Sequence, residues 1–229
     1  MPPKLKVFQS PDKKYHRLGT NDTLAFPARC ILAAPVSFGK NSCMLNLVAR
    51  EPGGFHRHIV VHHCPERTRD FDILSDSQGF ELRNFNEDPF PGPDDFTDPK
   101  CKSVVILDEI PFLTMNKQQK SDLDRLLNTC SSHGGAGVSV FILCQNIFDC
   151  PISVRRACQY YGIWRSPIAL TNGLISRMLG VNLTEIMDRL FSSRYDMVLV
   201  DLTGDASKLK AELFQPHSDM TSLIKYVTC

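Results

Sequence analysis

Apolar residues in this chain gather in short unbroken runs, and three of those runs stop at residues that carry chemistry. Cys30-Ile-Leu-Ala-Ala34 stops at Pro35 and a turn ending in Gly39-Lys40, Val104-Val-Ile-Leu107 stops at Asp108-Glu109, and Val140-Phe-Ile-Leu-Cys144 stops at Gln145-Asn146. A run that is apolar at every position, rather than at every second one, fits a central parallel strand buried on both faces. Between the runs the spacing turns helical, over about 40–50, 117–130, 173–179 and 183–191, with short helices after Pro65 and from Pro151. Further strands are predicted at His58–Cys64, Gln159–Arg165, Met197–Leu202 and around Lys208–Phe214. Alternation of this kind predicts an α/β fold with a mostly parallel sheet and helices on both faces.

Residues 1–24 are polar and hold Pro2, Pro3 and Pro11, which predicts a flexible arm ahead of a single domain over 25–229. A chain of 229 residues with 42% hydrophobic content has enough apolar surface for one sizeable core. Residues 86–100 mix prolines with acids and read as an exposed loop.

The strand-turn-helix at 30–48 has the layout of a phosphate-binding loop, in which backbone N–H groups and a helix N-terminus face an anion while a lysine reaches the outer phosphates. The loop comprises Pro35, Val36, Ser37, Phe38, Gly39, Lys40, Asn41 and Ser42. It departs from G-x-x-x-x-G-K-[ST] in three places: Ala34 replaces the first glycine, Phe38 precedes Gly39, and Asn41 stands where a hydroxyl holds Mg²⁺. Ala34 and Phe38 remove conformational freedom that such turns draw from glycine, and slow turnover is one consequence.

Asp108 and Glu109 emerge at the carboxyl end of their strand, the edge at which such sheets place ligands. In phosphoryl transfer a pair of this kind divides its work, Asp108 organising the Mg²⁺ shell and Glu109 acting as general base on water. Gln145, at the tip of the strand next to the acidic one, is positioned to sense the γ-phosphate or the lytic water. Asn146 reads equally as a turn former or helix cap.

A net charge of +1 announces no global field for nucleic acid, so any DNA contact is local or summed over a ring of subunits. Lys100, Lys102, Lys117 and Lys120 are the candidate contacts, and each also reads as a solvated surface charge. Nine cysteines, an odd number without a C-x-x-C pair, point to a reducing compartment. His56, His58, His62 and Cys64 share one strand face, but the two pairs lie too far apart to reach a single ion. No apolar run approaches the ~20 residues of a membrane span.

The wording of the motifs is itself informative. Leu126-Leu-Asn-Thr-Cys-Ser-Ser-His133, the strand ending in Gln145-Asn-Ile-Phe148, and Tyr195-Asp-Met-Val-Leu-Val-Asp-Leu202 together resemble the genome-packaging ATPases of Polinton/Maverick elements, adintoviruses and other double-jelly-roll DNA viruses. Poxvirus packaging ATPases are more distant members of the same FtsK/HerA-like class. The resemblance spans roughly residues 26–216. It implies a P-loop NTPase of the RecA and FtsK/HerA kind that binds ATP and Mg²⁺ and moves double-stranded DNA into a capsid.

Position by position, the resemblance implies that Lys40 holds the triphosphate, Asp108 and Glu109 form the Mg²⁺ and water site, and Gln145 senses nucleotide; Asn41, where this sequence departs from the family, offers the metal only a neutral amide oxygen. Arg155 aligns with a family arginine and is the candidate trans-acting finger, with Arg156 as the alternate. The partners implied are double-stranded DNA, capsid proteins and further copies of the chain in a pentamer or hexamer ring. The implied location is inside the host cell, in the nucleus or at a viral assembly site, or with the virion. Two other readings stand beside this one: a superfamily-three-type helicase, which suits Asn41 and Asn146, and a P-loop protein that binds DNA or builds structure with weak or no catalysis.

Overall fold

A computed structural model describes residues 24, 26–49, 51, 53–65, 71–75, 79–98, 100–131, 137–180, 182–191, 193–202, 210–216 and 222–228. The proposed N-terminal arm, apart from Leu24, and His133 lie outside the described residues.

The strands are β1 (Arg29–Ala33), β2 (Arg57–His62), β3 (Phe80–Asn84), β4 (Ser103–Asp108), β5 (Val138–Cys144), β6 (Tyr160–Trp164), β7 (Met197–Asp201), β8 (Lys210–Pro216) and β9 (Ser222–Thr228). They form one sheet in the order β3-β2-β4-β5-β1-β6-β7-β8-β9. From β3 to β6 every pairing is parallel, whereas β7, β8 and β9 add on antiparallel. The helices are α1 (Lys40–Ala49), α2 (Asp72–Ser75), α3 (Lys117–Arg125), α4 (Ile152–Ala157), α5 (Ala169–Leu179) and α6 (Leu183–Leu190).

The unbroken apolar runs are buried on both faces. Ile31, Leu107 and Ile142 pack on one side with Leu123 of α3, Val154 of α4, Ile175 of α5 and Met187 of α6. Their neighbours in sequence, Leu32, Ile106 and Leu143, pack on the other side with Cys43, Met44 and Leu47 of α1. Local signals set the helix ends: the Asn116 side chain accepts from the Gln119 N–H at 2.8 Å while the Gln119 side chain takes the Asn116 N–H at 3.0 Å. At the far end α3 widens into a π-turn over Leu126–Cys130, where the Ser131 N–H bonds Leu126 O at 3.0 Å. No helix among the described residues is long and apolar enough to cross a membrane.

Two strands depart from the sequence reading. β3 (Phe-Glu-Leu-Arg-Asn) carries two charged residues that obscure its strand pattern, and β9 extends the sheet past Phe214. The charges of β3 are absorbed by ion pairs: Arg83 meets Glu81 and Asp95, each at 2.6 Å, and Arg57 of β2 meets Glu81 at 3.0 Å. This network ties the acidic loop to the edge of the sheet. The Arg83 hydrogen bond holds the Glu81 carboxyl below its usual range against partial burial. Burial pushes the Asp95 carboxyl up, but its bonds to Arg83 and the Gly92 N–H prevail and hold it low as well.

Arg83→Ala is expected to destabilise the fold by roughly 2 to 3 kcal/mol, less than for a fully buried pair because both carboxylates keep some solvent contact. Depressed carboxyl pKa values contribute stability that is complete above about pH 4 and drains as pH falls through the lower folded values. Urea melts at pH 7 and pH 3 therefore show a smaller acid loss in the variant than in the wild type; equal losses contradict the assignment.

Candidate functional site

The parallel register brings three strand tips level. Asp108 pairs with Leu143, and Ala33 with Cys144, so the residues that follow β1, β4 and β5 leave the sheet side by side. Past the last ladder pairs, the Glu109 N–H bonds Leu143 O at 3.0 Å and the Ala34 N–H bonds Cys144 O at 3.1 Å. β5, which carries Gln145, lies between the phosphate-loop strand and the acidic strand.

Side chains complete the convergence. The Lys40 ammonium, nearly buried at the start of α1, bonds Oε1 of Glu109. Gln145 Nε2 approaches Oε2 of the same carboxylate at 3.4 Å. Asp108 is buried immediately before it, at 2% exposure. Glu109 itself has a φ of +52°, a left-handed backbone that a glutamate adopts at a cost.

The loop solves its missing glycine with other residues. Ala34 is fully buried as an extension of β1, so a methyl fits where the motif has glycine. Left-handed conformations fall at Ser37, φ +65°, and at Gly39, φ +84°. Phe38 packs its ring against the apolar layer containing Met44 and Leu143. Pro35 is half-buried while Val36 and Ser37 are exposed; Asn41 is half-buried in the first turn of α1 and Ser42 is exposed there.

Other residues singled out in the sequence lie elsewhere or act differently. Asn146 caps the 3₁₀ turn at Ile147–Asp149, its side chain accepting from the Phe148 N–H at 3.1 Å. Arg155 is engaged by its own fold: Nε donates to Cys150 O at 3.1 Å and the guanidinium stacks over the Phe148 ring at 5.2 Å. Arg156, one position on, is exposed. Lys102 precedes β4, at the end of the sheet opposite the carboxyl tips, and pairs with Glu51 at 2.8 Å. Lys100 is exposed near that same end. Lys117, Lys120 and Arg125 line a shallow hollow on α3 together with Asp124.

The histidine cluster does not act as a unit. His56 accepts the Lys102 N–H at 3.2 Å, and His58 is buried edge-on to Phe55. His62 is different: its register partner is Asp108, and its Nε2 lies 3.4 Å from Asp108 Oδ2. The Cys64 N–H donates to His62 Nδ1 at 2.7 Å, which leaves the ring proton on Nε2, facing the carboxylate. Sequence reasoning missed this role because it depends on which strand neighbours β4. Beneath Gln145, the sulfurs of Cys144 and Cys150 lie 3.8 Å apart; their hydrogen bond, with burial, pushes the Cys144 thiol up and keeps it an inert packing group.

No protein-family model matches the chain, and sequence comparison finds no curated relative. Solved structures do match. The DNA-packaging ATPase B204 of Sulfolobus Turreted Icosahedral Virus superposes with a TM-score of 0.59 at 14% identity, covering 89% of this chain and 98% of that one. B204 of Sulfolobus turreted icosahedral virus 2, in complex with sulfate, gives 0.56 at 14% identity over 86% and 96%. The pCW3 conjugation coupling protein TcpA, with ATPγS, gives 0.51 at 10% identity over 79% of this chain and 58% of that one. The chain shares its fold with these proteins.

Ser37 has the left-handed backbone that glycine adopts without penalty. Ser37→Gly is expected to leave stability unchanged or raise it by up to about 1 kcal/mol, because relief of the penalty offsets the extra chain entropy of glycine. A clear fall in thermal midpoint contradicts this loop geometry.

Proposed function

We propose that this chain is an ATP-driven translocase on double-stranded DNA that packages a viral genome into a capsid. The observation that carries the reading is the meeting of Lys40 and Gln145 on the Glu109 carboxylate, one residue beyond buried Asp108. Its support at the level of the whole fold is the likeness to B204, a viral DNA-packaging ATPase, over 98% of that chain.

In this reading the triphosphate of ATP takes Glu109's place as the partner of Lys40. Glu109, released from that contact, removes a proton from water as the water attacks the γ-phosphorus. The bond from that phosphorus to the β,γ-bridging oxygen breaks, giving ADP and phosphate. Gln145, within reach of Oε2, couples the position of the carboxylate to the presence of the γ-phosphate.

The donors present suit Mg²⁺, which binds oxygen and makes do with one or two carboxylates plus phosphates and water. Among the described residues no three His, Cys, Asp or Glu side chains form a denser metal cluster. Asp108 would hold the ion, with the Asn41 amide oxygen as the second protein group, and the ion would neutralise charge on the transferring phosphate. His62, donating from Nε2, fixes the orientation of the Asp108 carboxylate, the kind of outer contact that tunes a ligand.

Subunits close into a pentamer or hexamer ring around DNA. Arg155 is held by Cys150 and Phe148 of its own fold, so of the two candidate fingers exposed Arg156 is the one assigned to reach a neighbouring site. Lys117 and Lys120 are the assigned phosphate-backbone contacts, since Lys102 is paired with Glu51 and Lys100 lies near the end of the sheet away from the site. Summed over a ring, a few such cations per subunit suffice without a basic monomer. Capsid proteins dock the ring at the site of assembly.

The test is ATP hydrolysis with and without double-stranded DNA by wild type and Glu109→Gln. Wild type is expected to turn over faster with DNA, and the variant to lose at least about a hundredfold in rate while still binding nucleotide. Equal rates in the two proteins refute the assigned chemistry.

A further inference from the structure

One exposed aromatic residue stands beside the phosphate loop, outside both apolar layers of the sheet. β7 runs antiparallel to β6, with Met197 opposite Trp164. The turn that leads into β7 therefore lands at the carboxyl end of the parallel strands, with only β6 between β7 and β1, which carries the loop. Tyr195 sits on that turn with 42% of its surface exposed. Its Cδ1 lies 3.7 Å from where a Cβ on Gly39 would be, next to Lys40.

The turn holds the ring in place through backbone bonds. Trp164 Nε1 donates to Tyr195 O at 3.1 Å, anchoring the turn to the tip of β6. The Tyr195 N–H donates to Ser193 Oγ at 3.0 Å, and the Ser193 N–H donates to the buried Asp196 carboxylate at 2.9 Å. Arg194 places its guanidinium 4.9 Å from the ring centroid and donates from Nη2 to the Tyr195 hydroxyl at 2.7 Å. A fixed aromatic face with a planar cation beside it is the usual surface for stacking a nucleic base.

We infer that Tyr195, with Arg194, is the binding platform for the base of the nucleotide whose phosphates occupy the Gly39–Lys40 loop, a purine nucleoside triphosphate. The inference rests on the nucleotide reading proposed above and adds what recognises the base. Stacking acts on the π-face and not on the hydrogen-bonding edge. The platform therefore favours purines over pyrimidines and separates ATP from GTP only weakly.

The experiment measures the affinities of ATP and inorganic tripolyphosphate, each with Mg²⁺, by titration calorimetry on the full chain. Wild type is compared with Tyr195→Ala, Tyr195→Phe and Arg194→Gln, and a thermal melt of each variant checks folding. Wild type should bind ATP at least about tenfold more tightly than tripolyphosphate. Tyr195→Ala should erase most of that margin without changing tripolyphosphate affinity, Arg194→Gln should narrow it, and Tyr195→Phe should keep it. If Tyr195→Ala weakens both ligands equally, the tyrosine only props the loop and the platform is refuted. Should the alanine variant fail to fold, a lost margin in folded Tyr195→Phe refutes it as well. A wild type that binds the two ligands alike overturns the platform and leaves the nucleotide site standing, whereas one that binds neither overturns both.

Discussion

The in-register parallel pairing of β4, β5 and β1 is the constraint from which the site follows. Asp108 sits level with Leu143, and Cys144 level with Ala33, so the acid pair, Gln145 and the phosphate loop leave the sheet at one height. Because side chains alternate with period two, a slip of one residue between any two of these strands would exchange their buried faces and part Lys40 from Glu109. Burial on both sides makes that slip prohibitive, since each face of these strands is packed against its own layer of helices. The core and the site are thus specified by the same pairing.

The turn over residues 35–42 accommodates its departures from the glycine pattern because its two ends are fixed, by β1 on one side and α1 on the other. Ala34 replaces glycine where the chain is still part of the sheet, a place that asks for small volume and not for unusual dihedrals. Left-handed turns fall later, at Ser37 and Gly39, and the ring of Phe38 packs into the apolar layer on the α1 side. Glu109 carries a strained backbone of its own. Left-handed backbone at Ser37, in the turn before Lys40, and at Glu109 is consistent with a site that the surrounding sheet holds in shape.

What was legible in the sequence follows from what each feature depends on. β1, β4 and β5 announce themselves by unbroken apolar runs, and the polar residues at their tips mark the positions of Lys40, Asp108, Glu109 and Gln145 before any fold is known. β3 was hidden because Glu81 and Arg83 look like loop charges until Asp95 and Arg57 are brought to them by tertiary packing. β9 has strand-like composition but follows β8, which already completes the expected pattern. Long-range placement hid the rest. Only the β2–β4 register puts His62 against Asp108, and only the reversed direction of β7 carries Tyr195 to the phosphate loop. Arg155 reads as an accessible finger in the sequence, whereas its contacts with Cys150 and Phe148 are visible only in three dimensions.

The most direct test of the account is a crystal structure of the protein grown with Mg²⁺ and a non-hydrolysable ATP analogue. The account predicts the triphosphate on residues 35–42, with the Lys40 ammonium moved from Glu109 to the phosphates and the γ-phosphate facing the tips of β4 and β5. A nucleotide bound elsewhere, or a Lys40–Glu109 pair unchanged with the analogue present, would contradict it.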